Sequence, residues 1–396
     1  MKLVDKCTGC MACYNSCKFN AIKIIQNEKG FYVPKIDMHK CKKCGCCEKA
    51  CPEKNQIEKR RWQECYAAWS NNKDVRSTST SGGIFYEIAK EILKESGVVF
   101  GVVFNKESNL VQHTMIKDIT ELNNLQGSKY VQSFVGDIYL KVKEQLDNNK
   151  LVLFSGVSCQ IAGLKMYLKK SYDNLITIDV LCHGAPSPKI FDEYLNDKNF
   201  KKIEKISFRY KRPSWTVFSM KVEYSGKQYL KDTNKDEYLR LFLSDFITTE
   251  VCSDCKYTGE ERIADITLAD FWGYISDKMK YRNKEKGISL VLVNSQSGEV
   301  IFNKIKNYIT YINKDFLEAK DGNKCLTKPY PKNKNYNSFW NDYFKYGYKY
   351  IIDKYYAERK IPIRRKISLF INDHAYIVPK CIRKRMYNIK YKHKGA

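Results

Sequence analysis

The sequence lacks any long hydrophobic run. No uninterrupted apolar stretch approaches the ~20 residues that a membrane-spanning helix needs. The longest such stretch, residues 97–104, has the length of a buried strand. The first cysteine, Cys7, follows Met1 almost at once, which leaves no room for a signal peptide. These absences predict a cytoplasmic protein without a transmembrane helix.

Motifs for nucleic-acid binding are absent as well. We find no helix-turn-helix, zinc-finger or RNA-binding pattern, although the formal net charge is +26, and we predict no nucleic-acid partner. Much of the positive charge lies in residues 359–394, where it is opposed only by Asp373. A lysine-rich overall composition is the favoured interpretation of the charge. Peripheral contact of this basic tail with an anionic membrane surface is the second, and attraction to acidic partners is the third.

Internal repeats are lacking except for two short cysteine-rich runs. The chain has 396 residues, enough for two or three domains, and its hydrophobic share of 43% fits a folded globular protein. Nine of its 16 cysteines fall within residues 1–60 at the spacing of metal ligands. Such spacing indicates metal or cluster ligands in a reducing cytoplasm and not disulfides.

The two runs, residues 7–17 and 41–51, share the spacing C-x2-C-x2-C-x3-C. This pattern binds [4Fe–4S] clusters in bacterial ferredoxins, where three thiolates hold one cluster and the fourth reaches the neighbouring cluster. We therefore assign one cluster to Cys7, Cys10, Cys13 and Cys51. The other cluster is assigned to Cys41, Cys44, Cys47 and Cys17. Two one-electron carriers follow from this assignment, so electron transfer belongs to the function.

Structural zinc sites are the alternative for these runs. Zinc knuckles would use C-x2-C pairs instead of triplets followed by a fourth cysteine. Only the second run keeps a proline, Pro52, after its last cysteine, and that proline shapes the chain without being a ligand. Cys46 is a surplus thiol beside Cys47, and an exchange of the two as ligand stays open.

Hydrophobic periodicity organises the rest of the chain. Helical patterns alternate with short β-branched runs, which predicts a largely parallel sheet with helical cover. The predicted helices cover 84–93, 135–148, 160–169 and 236–247, and the predicted strands cover 98–104, 151–154, 176–181, 203–210, 216–224, 263–269 and 288–294. The fold class is an α+β ferredoxin-like dicluster domain in residues 1–60, followed in residues 61–310 by an α/β domain with a mixed sheet. Residues 311–396 form a basic extension rich in tyrosine and lysine.

Three loops have the composition of a cofactor site. Residues 79–83, Ser-Thr-Ser-Gly-Gly, open a predicted helix and would present backbone N–H groups to an anion such as a cofactor pyrophosphate. Residues 126–130 place Lys129 in a turn, where a cation beside a flavin would favour the anionic reduced form. Residues 155–160 place Cys159 at a helix N-terminus, which favours the thiolate. An ordinary helix cap and a solvated turn are the alternatives for the first two loops.

Further cysteines follow later strands. Cys159 and Cys182 end predicted parallel strands, at the edge where ligands bind in open α/β sheets, and Cys252 and Cys255 form a C-x2-C pair. Four thiols would suffice for a third cluster or a metal ion, and buried structural cysteines are the alternative. His183 is a candidate for proton transfer. The cysteines without a partner at useful spacing, predicted to have no special role, are Cys65, Cys325 and Cys381.

Together these segments resemble the coenzyme F420 hydrogenase/dehydrogenase beta-subunit family of iron–sulfur flavoproteins. The resemblance runs from the cysteine-rich segment to about residue 310. It is carried by Ser79-x-Ser81-Gly82-Gly83, Gly127-Ser-Lys-Tyr-Val-Gln-Ser133, Phe154-Ser-Gly156-x-x-Cys159-Gln160-Ile-Ala-Gly163-Leu, Asp179-x-x-Cys182-His183-Gly184-x-Pro186-Ser187, and Cys252-x-x-Cys255 before Ala264-Asp265-Ile266-x-x-x-Asp270-x-Trp272-Gly273. Each segment is a weak indication alone, and the set is specific.

The resemblance implies an FAD-binding α/β domain that exchanges electrons with iron–sulfur clusters. Matched to the family's motifs, the residues along the FAD would be Ser79, Ser81, Gly82 and Gly83, and those flanking the flavin would be Gly127, Ser128 and Lys129. The positions that match ligands of a third [4Fe–4S] cluster are Cys159, Cys182, Cys252 and Cys255. Lys129 would stabilise negative charge on the flavin, and His183 would supply a proton.

The predicted function is that of an iron–sulfur flavoprotein oxidoreductase. A ferredoxin or another one-electron carrier would exchange electrons through [4Fe–4S] clusters with FAD, and FAD would exchange two electrons with a small substrate. The family implies a deazaflavin, coenzyme F420, or another small molecule, and many bacterial relatives resemble parts of surface-polysaccharide biosynthesis. The alternative is a non-catalytic electron-transfer subunit that serves a redox partner subunit holding the active site.

Overall fold

The structure is a computed structural model that describes residues 6–272, 274 and 286–356. Cys381, Gly273 and the basic residues of 359–394 lie outside the described residues. In the part of the chain that is described, no helix combines the length and the apolar character needed to cross a bilayer.

The strands fall into one large sheet and three small ones. In chain order they are β1 (Ile22–Gln26), β2 (Tyr32–Ile36), β3 (Arg60–Arg61), β4 (Glu64–Ser70), β5 (Val98–Asn105), β6 (Leu110–Ile116), β7 (Val152–Val157), β8 (Leu175–Val180), β9 (Ile203–Tyr210), β10 (Ser219–Tyr224), β11 (Lys227–Asp232), β12 (Glu261–Arg262), β13 (Ile266–Asp270), β14 (Ser289–Val293) and β15 (Ile309–Asn313). Within the described residues, the large sheet has eight strands in the order β15-β4-β14-β13-β8-β7-β5-β6. The small sheets pair β1 with β2, β3 with β12, and β9 to β11 as an antiparallel meander.

The helices connect and cover these strands. They are α1 (Ala12–Asn15), α2 (Cys46–Lys49), α3 (Lys73–Thr78), α4 (Ile84–Lys94), α5 (Leu122–Leu125), α6 (Ile138–Asp147), α7 (Ser158–Leu168), α8 (Pro188–Asp197), α9 (Glu237–Leu243), α10 (Gln296–Ile305), α11 (Phe316–Gly322) and α12 (Tyr336–Tyr355). α4 and α10 pack on one face of the large sheet, and α6 and α7 pack on the other. Alternate residues of β5 and β7 therefore serve two different hydrophobic cores.

The large sheet is mixed, as predicted, but its parallel part is small. Parallel pairing joins only β13, β8, β7 and β5 among the described strands. β14, β4 and β15 extend one side by antiparallel pairing, and β6 does so on the other. The expectation of a largely parallel sheet is wrong in this respect. β4, β6 and β15 were not predicted, and Ala67 and Ala68 deprive β4 of the β-branched residues that mark a strand in sequence.

The other predicted elements correspond to observed ones, with shifted ends. α9 is shorter than the predicted helix at 236–247, and the turn Ser225–Gly226 joins β10 to β11. A separate core joins the small sheet of β9 to β11 with α8, α9 and α12. Residues 311–356 therefore pack against the rest of the protein through α11 and α12.

The cysteine-rich segment is packed onto the large sheet's helical layer. α1 and α2 each begin inside one cysteine run, after a residue with a left-handed backbone, Met11 or Gly45. Cys10, Met11 and Ala12 are buried in the same hydrophobic core as α6 and α7. The first run is thus part of the protein interior.

Candidate functional site

The cysteines of the two runs form two groups of thiols. Cys7, Cys10, Cys13 and Cys51 all line one small cavity, and they are hereafter called the inner group. Cys17, Cys41, Cys44 and Cys47 all line a second cavity, and they are hereafter called the outer group. Each group takes three cysteines from one run and one from the other, the arrangement that a ferredoxin-type pair of clusters requires. The individual ligand assignments stay a prediction.

Cys46 and Cys47 both border the outer cavity, and Cys47 borders the inner cavity as well. Both thiols therefore lie within reach of the outer group, and the exchange between them stays open. In either case the outer group keeps a third cysteine from the second run.

The electrostatic surroundings of the two groups differ. Burial raises the pKa of Cys10 to about 12, and burial is also the main cause that raises the pKa of Cys7 and Cys13. In the outer group, burial also raises the pKa of Cys47, but the pKa of the exposed Cys44 is lowered because the backbone and the thiol of Cys46 hydrogen-bond to it. Because clusters are bound by thiolates, assembly must displace a more firmly held proton from Cys10 than from Cys44.

The inner group lies directly against α7. A Cβ on Gly163 would stand 3.0 Å from the sulfur of Cys10 and 3.0 Å from the hydroxyl of Tyr139. The Tyr139 hydroxyl donates a hydrogen bond of 2.8 Å to the carbonyl of Gln160. Glycine at position 163 therefore allows this close approach between the cysteine-rich segment and the helix that carries Cys159.

Gln132 fixes the first cysteine run from another side. Its amide oxygen accepts a hydrogen bond of 2.8 Å from the backbone N–H of Tyr32, and its amide nitrogen donates to the carbonyl of Thr8 at 3.2 Å. Gln132 also lines the large cavity described below. One side chain therefore links the inner group to that cavity.

A third group of thiols lies beside α7. Cys159 is in the first turn of α7, Cys182 follows β8, and Cys252 and Cys255 lie in and after the short 3-10 turn Glu250–Asp254. Burial first, and then the neighbouring thiols of Cys182, Cys255 and Cys252, raise the pKa of Cys159 well above its usual value. Cys10 adds to this effect, so the inner group is also close. The structure thus brings together the four cysteines that the sequence singled out.

Cys325 lies beside this third group, although its spacing in the sequence gave it no partner. It is buried, and its thiol donates a hydrogen bond of 3.2 Å to the carbonyl of Cys182. Burial and the nearby thiols of Cys182 and Cys255 raise its pKa to about 12. Neither its spacing nor its neighbours in sequence gave a signal, because the fold brings it back from beyond β15.

A buried ion pair holds the strand and helix that carry Cys182 and Cys159. Arg262 pairs with Asp179 on β8, and both side chains are almost fully buried. The Ser158 hydroxyl, at the start of α7, donates to Asp179 at 2.6 Å, and the Thr267 hydroxyl does so at 2.6 Å. Removal of one partner of a buried charge strongly lowers the stability of the fold. These contacts therefore hold the strand and the helix that carry Cys182 and Cys159 in place.

A cavity of about 650 Å³ opens at the carboxyl ends of β7 and β8. Cys159, Cys182 and Cys325 lie in its wall, as do His183 and Lys129. This volume falls within the range of small-molecule and cofactor sites in proteins. The third group therefore borders a space large enough for an organic cofactor together with part of a substrate.

Two of the predicted cofactor loops meet at this cavity. The backbone N–H of Ser128 donates to the Thr80 hydroxyl at 2.8 Å, and the Gln126 amide donates to the Ser79 hydroxyl at 3.1 Å. The predicted cofactor residues in the cavity wall are Ser79, Ser81, Gly83, Gly127, Ser128 and Lys129. Gly83 precedes α4, whose N-terminus has no side-chain cap, so its N–H groups are available to an anion.

Gly82 lies behind this wall, against the large sheet. A Cβ there would stand 2.4 Å from the carbonyl oxygen of Ala68 and 2.9 Å from the backbone nitrogen of Ser289. The Gly82 N–H donates to the Ser289 hydroxyl at 2.9 Å. Gly82 therefore allows the loop between α3 and α4 to pack closely against β4 and β14.

Lys129 is directed at its own loop. Its ammonium donates to the carbonyls of Asn124 and Gln126 at 3.1 Å and 2.8 Å. Burial lowers the pKa of Lys129 to about 7. An ammonium has three N–H donors, so one remains for a molecule in the cavity.

His183 is held in the cavity wall by three neighbours. Its Nε2 lies 2.8 Å from Oδ1 of Asp245, and its ring lies 3.9 Å from the ring centre of Tyr330 and 5.0 Å from that of Phe242. Tyr330 and Asp245 gave no signal in the sequence. The imidazole is thus oriented with Nδ1 as the remaining polar atom.

Arg209 was also missed by the sequence reading. It forms a buried ion pair with Asp270, and the Trp215 indole N–H donates to the same carboxylate at 2.8 Å. Trp215 stacks on Trp272 with ring centres 4.8 Å apart. Asp270, the last residue of β13, and Trp272, which follows the strand, both form part of the cavity wall.

The described residues offer no evident site for a single metal ion. Among the described residues, no three or more His, Cys, Asp and Glu side chains are gathered closely enough to hold one ion. A [4Fe–4S] cubane is larger than an ion and needs its four thiolates further apart.

Comparison with known proteins agrees with the sequence prediction. The family model for a 4Fe-4S dicluster domain matches residues 6–55. Those for the N-terminal and C-terminal parts of the coenzyme F420 hydrogenase/dehydrogenase beta subunit match residues 65–138 and 149–315. The predicted iron–sulfur domain is thereby confirmed, and the chain is an oxidoreductase-family iron–sulfur protein. No curated protein matches the chain.

A solved structure similar to this chain comes from the F420-reducing [NiFe] hydrogenase complex of Methanosarcina barkeri. The two share 15% sequence identity, with a TM-score of 0.45, over 72% of this chain and 94% of the other. The family matches cover both parts of the beta subunit in the expected order, on either side of residues 139–148. The chain therefore belongs to the coenzyme F420 hydrogenase/dehydrogenase beta-subunit family.

Proposed function

We propose that this protein is an FAD-dependent iron–sulfur oxidoreductase that exchanges electrons between an external one-electron carrier, such as a ferredoxin, and a small substrate. One observation carries the proposal: the thiol groups follow one another from the outer group, whose Cys44 is exposed, through the inner group at α7, to the third group, whose Cys159 and Cys182 lie in the wall of the large cavity. Twelve thiols in this order provide sites for three [4Fe–4S] clusters. Such clusters would supply one-electron transfer along that line.

The cavity residues fit FAD. The uncapped N-terminus of α4 suits a pyrophosphate, and the loop of Gly127 and Ser128 closes over it through Thr80. Bound there, FAD would supply the exchange between single electrons and electron pairs. Lys129 would donate its remaining N–H to the flavin, and a negative charge on that ligand would raise the lysine's pKa from about 7.

The rest of the cavity suits a flat substrate. The aromatic side chains in its wall are Phe218, Phe242, Trp272 and Tyr330. Such side chains stack on planar molecules, which agrees with a deazaflavin or another conjugated ring as substrate. His183, with Nε2 engaged by Asp245, would exchange a proton with this substrate at Nδ1.

The test is anaerobic purification with counts of flavin and iron, followed by stopped-flow reduction. We expect about one FAD and about twelve iron atoms per chain. Cys159→Ser should lose about four iron atoms and slow flavin reduction by reduced ferredoxin more than about tenfold, because the third group adjoins the cavity. Cys65→Ser, a buried cysteine in β4, is the control and should change neither value. A preparation that binds no flavin would refute the proposal.

A second candidate, an electron-transfer subunit of a larger complex, is favoured by one observation. The edge strand β15 exposes Tyr311 and Ile312, and Leu317 beyond it is 66% exposed. Apolar side chains on an edge strand suit pairing with another chain. Under this candidate, Leu317→Asp would abolish co-purification with a redox partner subunit while leaving flavin and iron unchanged.

A further inference from the structure

Exposed lysines and exposed apolar side chains surround the outer group. Phe19 is 45% and Met38 is 54% exposed. The lysines beside them are all exposed as well. We define the outer patch as Lys18, Phe19, Met38, Lys40, Lys42 and Lys43.

The backbone brings the two halves of the outer patch together. The N–H of Asp37 donates to the carbonyl of Ala21 at 2.7 Å, where β1 and β2 come together. The N–H of Cys41 donates in turn to the carbonyl of Asp37 at 3.0 Å. The segment that carries Lys18 and Phe19 therefore lies beside the turn that carries Met38 and Lys40. Phe19 also borders the outer cavity itself.

No ion pair within the described part of the chain neutralises the charge of the outer patch. Its four lysines make no ion pair with any other described residue, and residues 35–49 contain five lysines against Asp37 and Glu48. Glu48 is engaged by Lys54 at 2.8 Å. An apolar centre with a basic rim is the composition of a surface that binds an acidic protein.

We propose that the outer patch is the docking surface for a small acidic one-electron carrier protein. The inference rests on the proposed function and names where the carrier binds. In the step that follows docking, the reduced carrier loses one electron and the outer cluster gains one, with no bond formed and no proton transferred. The inner group cannot serve this purpose, because Cys10 and its neighbours are buried against α7.

The experiment compares two double variants of the full-length, cluster-loaded protein. Lys18→Glu/Lys40→Glu reverses two charges of the outer patch, and Lys227→Glu/Lys231→Glu reverses two exposed charges on β11 in the small sheet. Stopped-flow mixing with a reduced acidic ferredoxin gives the rate of cluster reduction at several salt concentrations. Binding of the oxidised ferredoxin is measured separately, as a dissociation constant.

We expect the outer-patch variant to lower the association rate and the affinity about tenfold at low salt, with the difference shrinking as salt rises. The β11 variant should have the same association rate and affinity as the unaltered protein. Dithionite should reduce the unaltered protein and both variants at the same rate. Equal losses in both variants, or none in either, would overturn the proposal. The proposal would also be overturned if the outer-patch variant lost binding to phosphatidylglycerol vesicles but kept binding to ferredoxin, because the patch would then be a lipid-binding surface.

Failure of the docking proposal is distinct from failure of the proposed function. If dithionite reduces the clusters and the flavin, but the rate of reduction by ferredoxin is the same with and without the outer-patch substitutions, the docking proposal alone fails. If dithionite reduces the clusters but no flavin is bound, the proposed function fails.

Discussion

Cys10 and Cys44 occupy equivalent places in two runs of equal spacing, and their surroundings are opposite. Cys10 is 8% exposed, packs against Gly163, and has a pKa raised by burial to about 12. Cys44 is exposed, and hydrogen bonds from Cys46 lower its pKa. The spacing of cysteines brings ligands together, but tertiary packing decides which group faces the interior. The two groups therefore differ in position, since the outer group includes an exposed thiol and the inner group lies beside α7.

The largest difference should appear between Cys10→Ser and Cys44→Ser. We expect each to lose about four iron atoms. Cys10→Ser should also lower the thermal midpoint further, because it places a more polar group in the hydrophobic core, at a cost of about 1 kcal/mol, whereas position 44 is exposed. Iron assays and calorimetry under anaerobic conditions measure both effects. Equal midpoints for the two variants would contradict the inner and outer distinction.

A smaller difference is expected between Gly163→Ala and Gly45→Ala. The methyl group at position 163 would meet Cys10 and Tyr139, and overpacking of this kind costs about 1–3 kcal/mol. At position 45 a Cβ meets nothing within 4 Å, so only the left-handed backbone, about 1 kcal/mol, is strained. Thermal unfolding measures which of the two variants is less stable. The electron paramagnetic resonance signal of the inner cluster should change only in Gly163→Ala.

Tyr139→Phe tests the inner contact more gently. The variant removes the hydrogen bond to Gln160 and keeps the ring. We therefore expect the free energy of unfolding to fall by about 1 kcal/mol and the thermal midpoint to be lower. Tyr167→Phe is the matched control, since this ring packs beside that of Tyr139 and its hydroxyl bonds to no described residue. A larger shift in the control would show that the ring contact matters more than the hydrogen bond.

The smallest effect is expected at the exposed ion pair of Lys6 and Asp254. It joins the first cysteine run to the turn of Cys252, but the two side chains are 69% and 71% exposed. Exposed pairs of this kind contribute little. Asp254→Asn should therefore leave the thermal midpoint and the iron content unchanged at any salt concentration, and a clear fall in either would show that the pair holds the inner group in place.

The sequence predicted the parts of the site that depend on local pattern. The two cysteine runs, the loop of Ser79 and the turn of Lys129 are all continuous segments, and the helix and strand around Cys159 have the expected periodicity. Glycines and hydroxyl side chains at the start of a helix indicate an anion site within a few residues of sequence. These features could therefore be found without knowledge of the fold.

The remaining parts depend on contacts between distant segments. Cys325, which follows α11, reaches Cys182, and Tyr330 from the same segment packs against His183. Arg262 finds Asp179 in the same manner. An isolated cysteine, tyrosine or arginine has no local pattern that marks it, because its partner is set only by tertiary packing.

The place of β4 in the large sheet has a consequence for biosynthesis. β4 ends at Ser70, whereas the strands on its two sides begin at Ser289 and Ile309. While the chain leaves the ribosome, both edges of β4 stay without their native partners until most of the polypeptide has been made. The cysteine runs emerge before it, so the nascent chain offers thiols for iron loading long before the sheet that will enclose them can close.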